Sequence, residues 1–406
     1  MTQSPPGLPE AGDRLLSARL AFLYVGWFLV LGIQLPFWPV WLRFKGLDAT
    51  QIGVLFMIGA IVRALGGPVF ANIADRFGRR RALIIALSLA SLCAYGFFLL
   101  TQGFAQILLV SIFAVTLFSP IMALTDNLTI LIARDRGLHY GRIRLWGSLT
   151  FVLMATAAGA FLEHRPEGAI LWLILAGLAV MVAAAVLGPA SGAGSLGTSE
   201  AIGLYARIRR LLADGPFFLV LLSAGALQAS HAVYYAFGTL YWRELGLADD
   251  VIGLLWALGV VAEMVMFALA GGLHGRLGPR RLLMLAGAAG IVRWGLMPMA
   301  VSPLAFAALQ LLHGFTFAAT HLAVILFIAR RVPTELSATA QGLYSAVSVG
   351  LMIAGSMALS GVLYAAWGGR AYWAMTGFAG AGLILAAIVK QPPPISSPGP
   401  QRSEQR

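Results

Sequence analysis

Hydrophobic residues in this chain gather into long unbroken runs, without the strict alternation of a half-buried strand. Six runs near 18–42, 50–71, 82–101, 104–131, 143–162 and 168–188 are followed by six more near 216–242, 251–273, 282–301, 303–329, 338–364 and 371–389. A hydrocarbon core of about 30 Å takes roughly 20 apolar residues per helix, so each run is long enough to cross a bilayer. A helix satisfies its own backbone hydrogen bonds in lipid. The alternation that marks a membrane β-barrel is absent. The pattern predicts an all-α membrane protein with twelve transmembrane helices. The first run is too long for the apolar core of a cleaved signal and has no small-residue cleavage site after it, so it is predicted to be the first span.

Composition agrees with the runs. Of 406 residues, 59% are hydrophobic and only 11% charged, where a soluble domain carries about 25% charged residues. That scarcity argues against a soluble enzyme, a nucleic-acid binder or a disordered chain. The single Cys93 excludes a disulfide framework and a cysteine-based metal site. The net charge is +12, and its placement explains it. Twenty of the 28 basic residues fall on alternate connections and the two ends, Arg79, Arg80, Arg81, Arg280 and Arg281 among them, against five on the opposite connections. Strict alternation of this kind is the positive-inside pattern. It supports twelve spans independently of hydropathy and predicts both termini in the cytoplasm. The remaining three bases lie inside apolar runs.

Displacing the chain by 200 residues brings like onto like. Trp41-Leu42-Arg43 meets Tyr241-Trp242-Arg243, Gly46-Leu47 meets Gly246-Leu247, and Arg76-Phe77-Gly78 meets Arg276-Leu277-Gly278. An even number of spans per unit gives two parallel copies, hence two six-helix bundles related by a pseudo-twofold axis along the membrane normal. The predicted bundles are residues 1–188 and 215–390. Between them, 189–214 reads as a cytoplasmic linker, Gly/Ser-rich and then basic and amphipathic. The Pro-rich tail 391–406 reads as disordered.

The loop Ala71-x-x-x-Asp75-Arg76-x-Gly78-Arg79-Arg80 resembles the signature cytoplasmic loop of the major facilitator superfamily, with Ala71 where that loop has glycine. A closer resemblance runs through nearly the whole chain. It rests on Pro36-Phe37-Trp38-Pro39, Leu124-Thr125-Asp126, Tyr140-Gly141-Arg142-Ile143-Arg144-Leu145-Trp146, His231-Ala232-x-Tyr234-Tyr235, Ala262-Glu263, Arg293-Trp294-Gly295 and Leu312-His313-Gly314. These look like the phenylpropionate permease group, which is similar to the lactose permease type of proton symporter. The resemblance implies the facilitator fold and alternating access. It also implies that Asp75, Arg76, Gly78, Arg79 and Arg80 form a cytoplasmic gate.

A charge at mid-membrane costs roughly 2.5–3.5 kcal/mol on insertion scales and is by default functional. Only Asp126 and Glu263 among the acids, and Arg63, Arg144 and Arg293 among the bases, fall within apolar runs. An arginine fork holds a carboxylate bidentately. The resemblance implies that Arg144 is the substrate-binding arginine and Asp126 its partner carboxylate. Trp146 is read as a substrate-stacking side chain or an interfacial anchor. His231, Tyr234 and Tyr235, at spacings of three and four, share a helical face suited to a ring.

Glu263 stands in an otherwise apolar stretch. A carboxyl balanced between hydrocarbon and a cation can load and release a proton at working pH. Arg63 occupies the repeat-related position and is read as a packing or gating residue. Arg293 and His313 resemble the proton site of the lactose permease type. The chain departs from that pattern at Thr316, where a glutamate is expected, and at Gln310, where a lysine is. Proton coupling is therefore assigned to Glu263 or Asp126, with Arg293, His313 and His321 as candidate helpers.

The expected function is secondary active transport. Proton-coupled import of a small organic acid, an aromatic carboxylate of the 3-phenylpropionate kind, leads. Sugar or nucleoside symport and drug:proton antiport are the alternatives. Neither an enzyme site nor a cofactor is expected, since no phosphate loop, paired metal ligands or Ser/His/Asp grouping occurs. The expected partners are a small-molecule substrate, protons and the lipid bilayer of a bacterial inner membrane, with the chain a monomer and no nucleic acid bound.

Overall fold

A computed structural model describes residues 11–77, 79–190 and 204–389. Gly78, linker residues 191–203 and the tail 391–406 lie outside the described residues, as do the side chains of Asp75 and Arg76.

The first half is α1 (Ala11–Phe44), α2 (Ala49–Phe77), α3 (Arg80–Gly96), α4 (Gly103–Arg136), α5 (Tyr140–Leu162) and α6 (Ala169–Leu187). A short amphipathic helix, α7 (Leu204–Ala213), precedes the second half. It buries Leu211 and leaves Leu204 and Tyr205 exposed. The second half is α8 (Gly215–Ala229), α9 (Ala232–Glu244), α10 (Asp249–Leu296), α11 (Pro303–Leu311), α12 (Ala319–Arg331), α13 (Thr334–Leu343), α14 (Met352–Trp367) and α15 (Tyr372–Ile388). Helix α10 holds two spans, because Gly278 (φ 66°, ψ 165°) breaks it where only glycine turns without strain. Among the described residues eleven apolar helices are long enough to cross a membrane, and the last, Thr334–Ile388, contains the turn at Gly368 (φ 53°). The crossings therefore number twelve, as the hydropathy pattern predicts.

Spans that read as single runs in the sequence are interrupted in the second half. Predicted span 7 is α8 and α9, broken at Ser230 and His231. Spans 10 and 11 carry π-helical turns at Gly314–Ala318 and Tyr344–Leu351. Such turns recur at functional sites.

The two halves meet through α5 against α10 and α2 against α14. Glycines make both contacts possible. A Cβ on Gly53 would lie 2.7 Å from the Cα of Gly361. A Cβ on Gly159 would strike the carbonyl of Asp249, and one on Gly253 the carbonyl of Ala155. All four glycines lie toward the arginine-poor face. Ionic contacts join the halves there as well. Arg43 is 3.8 Å from Glu244, which accepts from Tyr364, and Arg243 bridges Asp249 and Glu167 (3.4 Å). Among the described residues no comparable pairing joins the arginine-rich ends of α4 and α5 to α12 or α13. The halves are closed on the arginine-poor side.

At the arginine-rich face Asp214 caps α8 by accepting from the Phe217 N–H at 2.8 Å, and it pairs with Arg331 at 3.0 Å. Partial burial opposes the Asp214 charge, but the hydrogen bonds from Arg331 and Phe217 prevail and hold the carboxyl below its usual range.

Candidate functional site

In the first half, α1, α4 and α5 converge on Asp126. Its Oδ1 accepts from the Tyr24 hydroxyl at 2.7 Å and from the Tyr140 hydroxyl at 2.8 Å. Tyr140 lies four residues before Arg144, so both side chains leave the same face of α5. The Arg144 guanidinium lies flat against aromatic rings, its Cζ 4.4 Å from the centroid of Phe28 and 5.5 Å from that of Tyr24. Gly147 lets Phe28 lie close to α5 beneath it, since a Cβ there would come within 2.5 Å of the ring.

Arg144 is partly exposed, and among the described residues its side chain has no hydrogen-bond acceptor and no ion pair. Asp126 and Arg144 share Tyr24 and are not bonded to each other. The short aspartate stem, held by two phenols, accounts for that difference from the implied pair.

Trp146 does not join this group. Two residues on a helix differ by about 200° in direction, so it points away from the side of Arg144. It is 55% exposed and continues into the exposed Leu149 and Leu153.

The second half builds a different site. Arg293 on α10 is fully buried. Its guanidinium lies over Trp294 (4.3 Å) and Tyr234 (4.8 Å). It donates to Gln310 Oε1, to Thr316 Oγ1 at 3.0 Å and to His313 Nδ1 at 2.9 Å. Because a guanidinium only donates, His313 Nδ1 must accept, and the ring proton sits on Nε2.

That nitrogen faces Glu263 Oε2 at 3.9 Å. Thr316 is the hub on the other side. It accepts from Arg293 and lies 3.1 Å from His231 Nε2. His231 Nδ1 donates to the Leu227 carbonyl at 3.0 Å, which leaves its Nε2 to accept, and the one Thr316 hydroxyl proton is shared between that nitrogen and the His313 carbonyl at 3.3 Å. Gln310 in turn donates to the Tyr234 hydroxyl at 3.0 Å. Every bond in the cluster thus has one direction, from Arg293 outward. Thr316 and Gln310, noted in the sequence only as departures, hold the arginine with neutral acceptors.

Local backbone explains the meeting of His313 and Glu263. A Cβ on Gly314 would lie 2.5 Å from the carbonyl oxygen of Ala262. The bare glycine therefore lets the π-turn touch α10 one residue before Glu263. His231, Tyr234 and Tyr235 do come together, with Trp256 stacked on Tyr234 at 4.4 Å and His231 on Tyr235 at 5.6 Å. His231 and Tyr234 are buried, and Tyr235 is the partly exposed member.

Glu263, with 24% of its side chain exposed, sits on the α10 that packs against α5, within electrostatic range of Arg144. His321 is apart from this group, with its ring against Phe267 and Tyr344. Arg63 makes no ion pair with either membrane carboxylate among the described residues. Of the cytoplasmic loop, Arg79 is exposed and Arg80 buried at the start of α3. Tyr24, Phe28 and Tyr140 were not singled out in the sequence. Their signal is the spacing of four that lines Tyr24 with Phe28 on α1 and Tyr140 with Arg144 on α5.

The sequence pattern of the MFS_1 like family matches residues 17–375. A probable 3-phenylpropionic acid transporter of Escherichia coli (strain K12) is 35% identical over 357 residues, covering 88% of this chain and 93% of that protein. The lactose permease of Klebsiella oxytoca is 23% identical over 380 residues, 88% of each chain. The crystal structure of the nucleoside transporter NupG superposes with a TM-score of 0.79 at 16% identity, covering 92% of this chain and 97% of that one. The fold is therefore the facilitator fold, and its relatives are membrane permeases, not enzymes. The chain belongs to the MFS_1 like family and is a multi-span transporter of the major facilitator type.

Proposed function

We propose that the protein imports a small aromatic carboxylate, of the 3-phenylpropionate class, together with a proton. The observation that carries this reading is the open fork of Arg144, held flat on Phe28 with no acceptor among the described residues. Five guanidinium donors on a partly exposed side chain fit a carboxylate bidentately. The rings of Phe28 and Tyr235 offer apolar walls to an aromatic body. The relative that carries 3-phenylpropionic acid in its name supports the same class.

Glu263 is assigned the proton. When ionised, it competes with the substrate for Arg144; once protonated, it leaves that cation to the incoming anion. Substrate anion and proton then cross as a neutral pair, which avoids carrying a net charge through hydrocarbon. Asp126 and its two tyrosines hold the α1–α4–α5 junction around Arg144. Arg293, His231 and Tyr234 hold His313 in the tautomer that aims its N–H at Glu263. The arginine-rich face is assigned to the cytoplasm, where Asp75, Arg76, Gly78, Arg79 and Arg80 would latch the halves when the glycine contacts on the other face separate. The transporter works as a monomer, two halves rocking about one central site.

The test is uptake of labelled 3-phenylpropionate into right-side-out vesicles with an imposed pH gradient, alkaline inside. Accumulation should follow the gradient and collapse with a protonophore. Accumulation that ignores the gradient overturns the coupling. Competition by maltose or uridine, with none by other aryl carboxylates, overturns the substrate class.

A further inference from the structure

A cavity lies outside the central site, between the beginnings of α1 and α5 and the end of α4. It holds about 570 Å³. Arg14, Arg136, Arg142 and His139 line it, with Asp13 as the one carboxylate in the wall. Buried Ala21 and Ile143, with Ala18 and Trp146, add apolar lining.

Three features distinguish the cavity from a merely basic surface. The guanidinium groups of Arg14, Arg136 and Arg142 have no ion pair or side-chain hydrogen bond among the described residues. The charges line a hollow together with the apolar Ala21 and Ile143. The cavity also adjoins an exposed apolar stripe. On α5, Arg142 and Trp146 lie one turn apart, and the same line runs on through Leu149 (39% exposed) and Leu153 (68% exposed). This face points away from Arg144, so the cavity does not serve the central site.

A cationic pocket at the end of the spans, with an indole and an apolar stripe leading into the membrane, fits an amphiphile with an anionic head. Basic pockets between helices on the cytoplasmic side are suited to acidic lipid headgroups, and an indole belongs at headgroup depth. We propose that this wedge binds an anionic phospholipid of the cytoplasmic leaflet. Its phosphate is held by Arg14 and Arg142, its linkage region lies against Trp146, and an acyl chain runs along Leu149 and Leu153. The proposal accounts for Trp146, which the central site leaves unused, and for the unpaired arginines. It does not depend on which substrate is carried.

The experiment uses the purified full-length protein. Native mass spectrometry and thermal unfolding are recorded with cardiolipin, phosphatidylglycerol, phosphatidylcholine and inorganic phosphate, for the wild type, Arg14→Gln/Arg142→Gln and Arg14→Lys/Arg142→Lys. The expected result is retention of the two anionic lipids over phosphatidylcholine and a rise in unfolding temperature. The glutamine variant should lose at least about tenfold in lipid affinity, as expected for two lost charge-assisted hydrogen bonds, and the lysine variant should keep most of it. Two results overturn the proposal. One is an unchanged preference for anionic lipid in the glutamine variant. The other is an equal temperature rise from inorganic phosphate, which would make the ligand a soluble anion. Should the glutamine variant fail to fold, the phosphate arm on wild type and the lipid preference of the lysine variant still decide.

Discussion

Each half of this transporter sets one membrane arginine against aromatic rings, and the two halves then treat it in opposite ways. Arg144 lies 4.4 Å from the Phe28 centroid and Arg293 4.3 Å from that of Trp294, so the ring contact is the same. The difference is in the donors. Arg293 is fully buried and gives its N–H groups to Gln310, Thr316 and His313. Arg144 is partly exposed and gives its N–H groups to no side chain among the described residues. A ring face offsets part of the desolvation of a cation, but only acceptors satisfy a fork of five donors. An arginine whose two terminal nitrogens are held by three acceptors organises its surroundings, and one with open donors can serve a ligand. The family resemblance implies a transport role for both arginines. The hydrogen-bond inventory assigns them different work.

The most direct way to break this comparison is to exchange each arginine for lysine. Arg144→Lys should remove uptake, a loss of about a hundredfold or more, because a point charge cannot replace a bidentate fork. Its unfolding temperature should stay near that of wild type. Arg293→Lys should lower the unfolding temperature markedly, since an ammonium cannot reach Gln310, Thr316 and His313 together, and each buried group left unpaired costs about 1–3 kcal/mol. Equal unfolding temperatures for the two variants, read by thermal shift in one detergent, would erase the distinction.

Glu263→Gln tests the carboxylate that faces His313 and lies within electrostatic range of Arg144. It should uncouple uptake from the pH gradient while sparing substrate exchange, and an unchanged pH profile of uptake would move the proton elsewhere. Where the halves are alike, their variants should behave alike. Gly53→Leu and Gly159→Leu each force apart a contact on the arginine-poor face. Spin labels at positions 43 and 244 should then report a longer distance in either variant, and a change in only one would show that the two glycine contacts do not act together. The smallest effect is expected from Thr316→Val, which strips the hub between Arg293 and His231 but keeps its volume. Stability should fall by about 1–3 kcal/mol, with the substrate KM little changed. A raised KM at normal stability would bring Thr316 into the binding site.

Legibility in the sequence follows the same division. Asp126, Arg144, Glu263 and Arg293 stand out because charge in a hydrocarbon run is conspicuous, and no neighbour is needed to notice it. Their partners were not visible, because partners are set by helix rotation and by breaks in the helices. Asp126 reads as the mate of Arg144, yet two tyrosines from α1 and α5 take it. Trp146 reads as a neighbour of Arg144 in the chain, yet helical geometry turns it to the opposite side. Thr316 and Gln310 read as absences, and they prove to be the acceptors that make a buried arginine tenable.

By itself the sequence determined the twelve spans, the repeat and the transporter family. The bilayer is a uniform solvent that demands an apolar run of fixed length from every crossing, a requirement met residue by residue and legible without a fold. The tertiary structure alone decided which donors are filled, where a bare glycine lets two helices touch, and that spans 7, 10 and 11 break beside the site. Those outcomes depend on distances between segments far apart in the chain. Whether a buried polar group is satisfied is a property of the packed assembly, and no single run of sequence contains it.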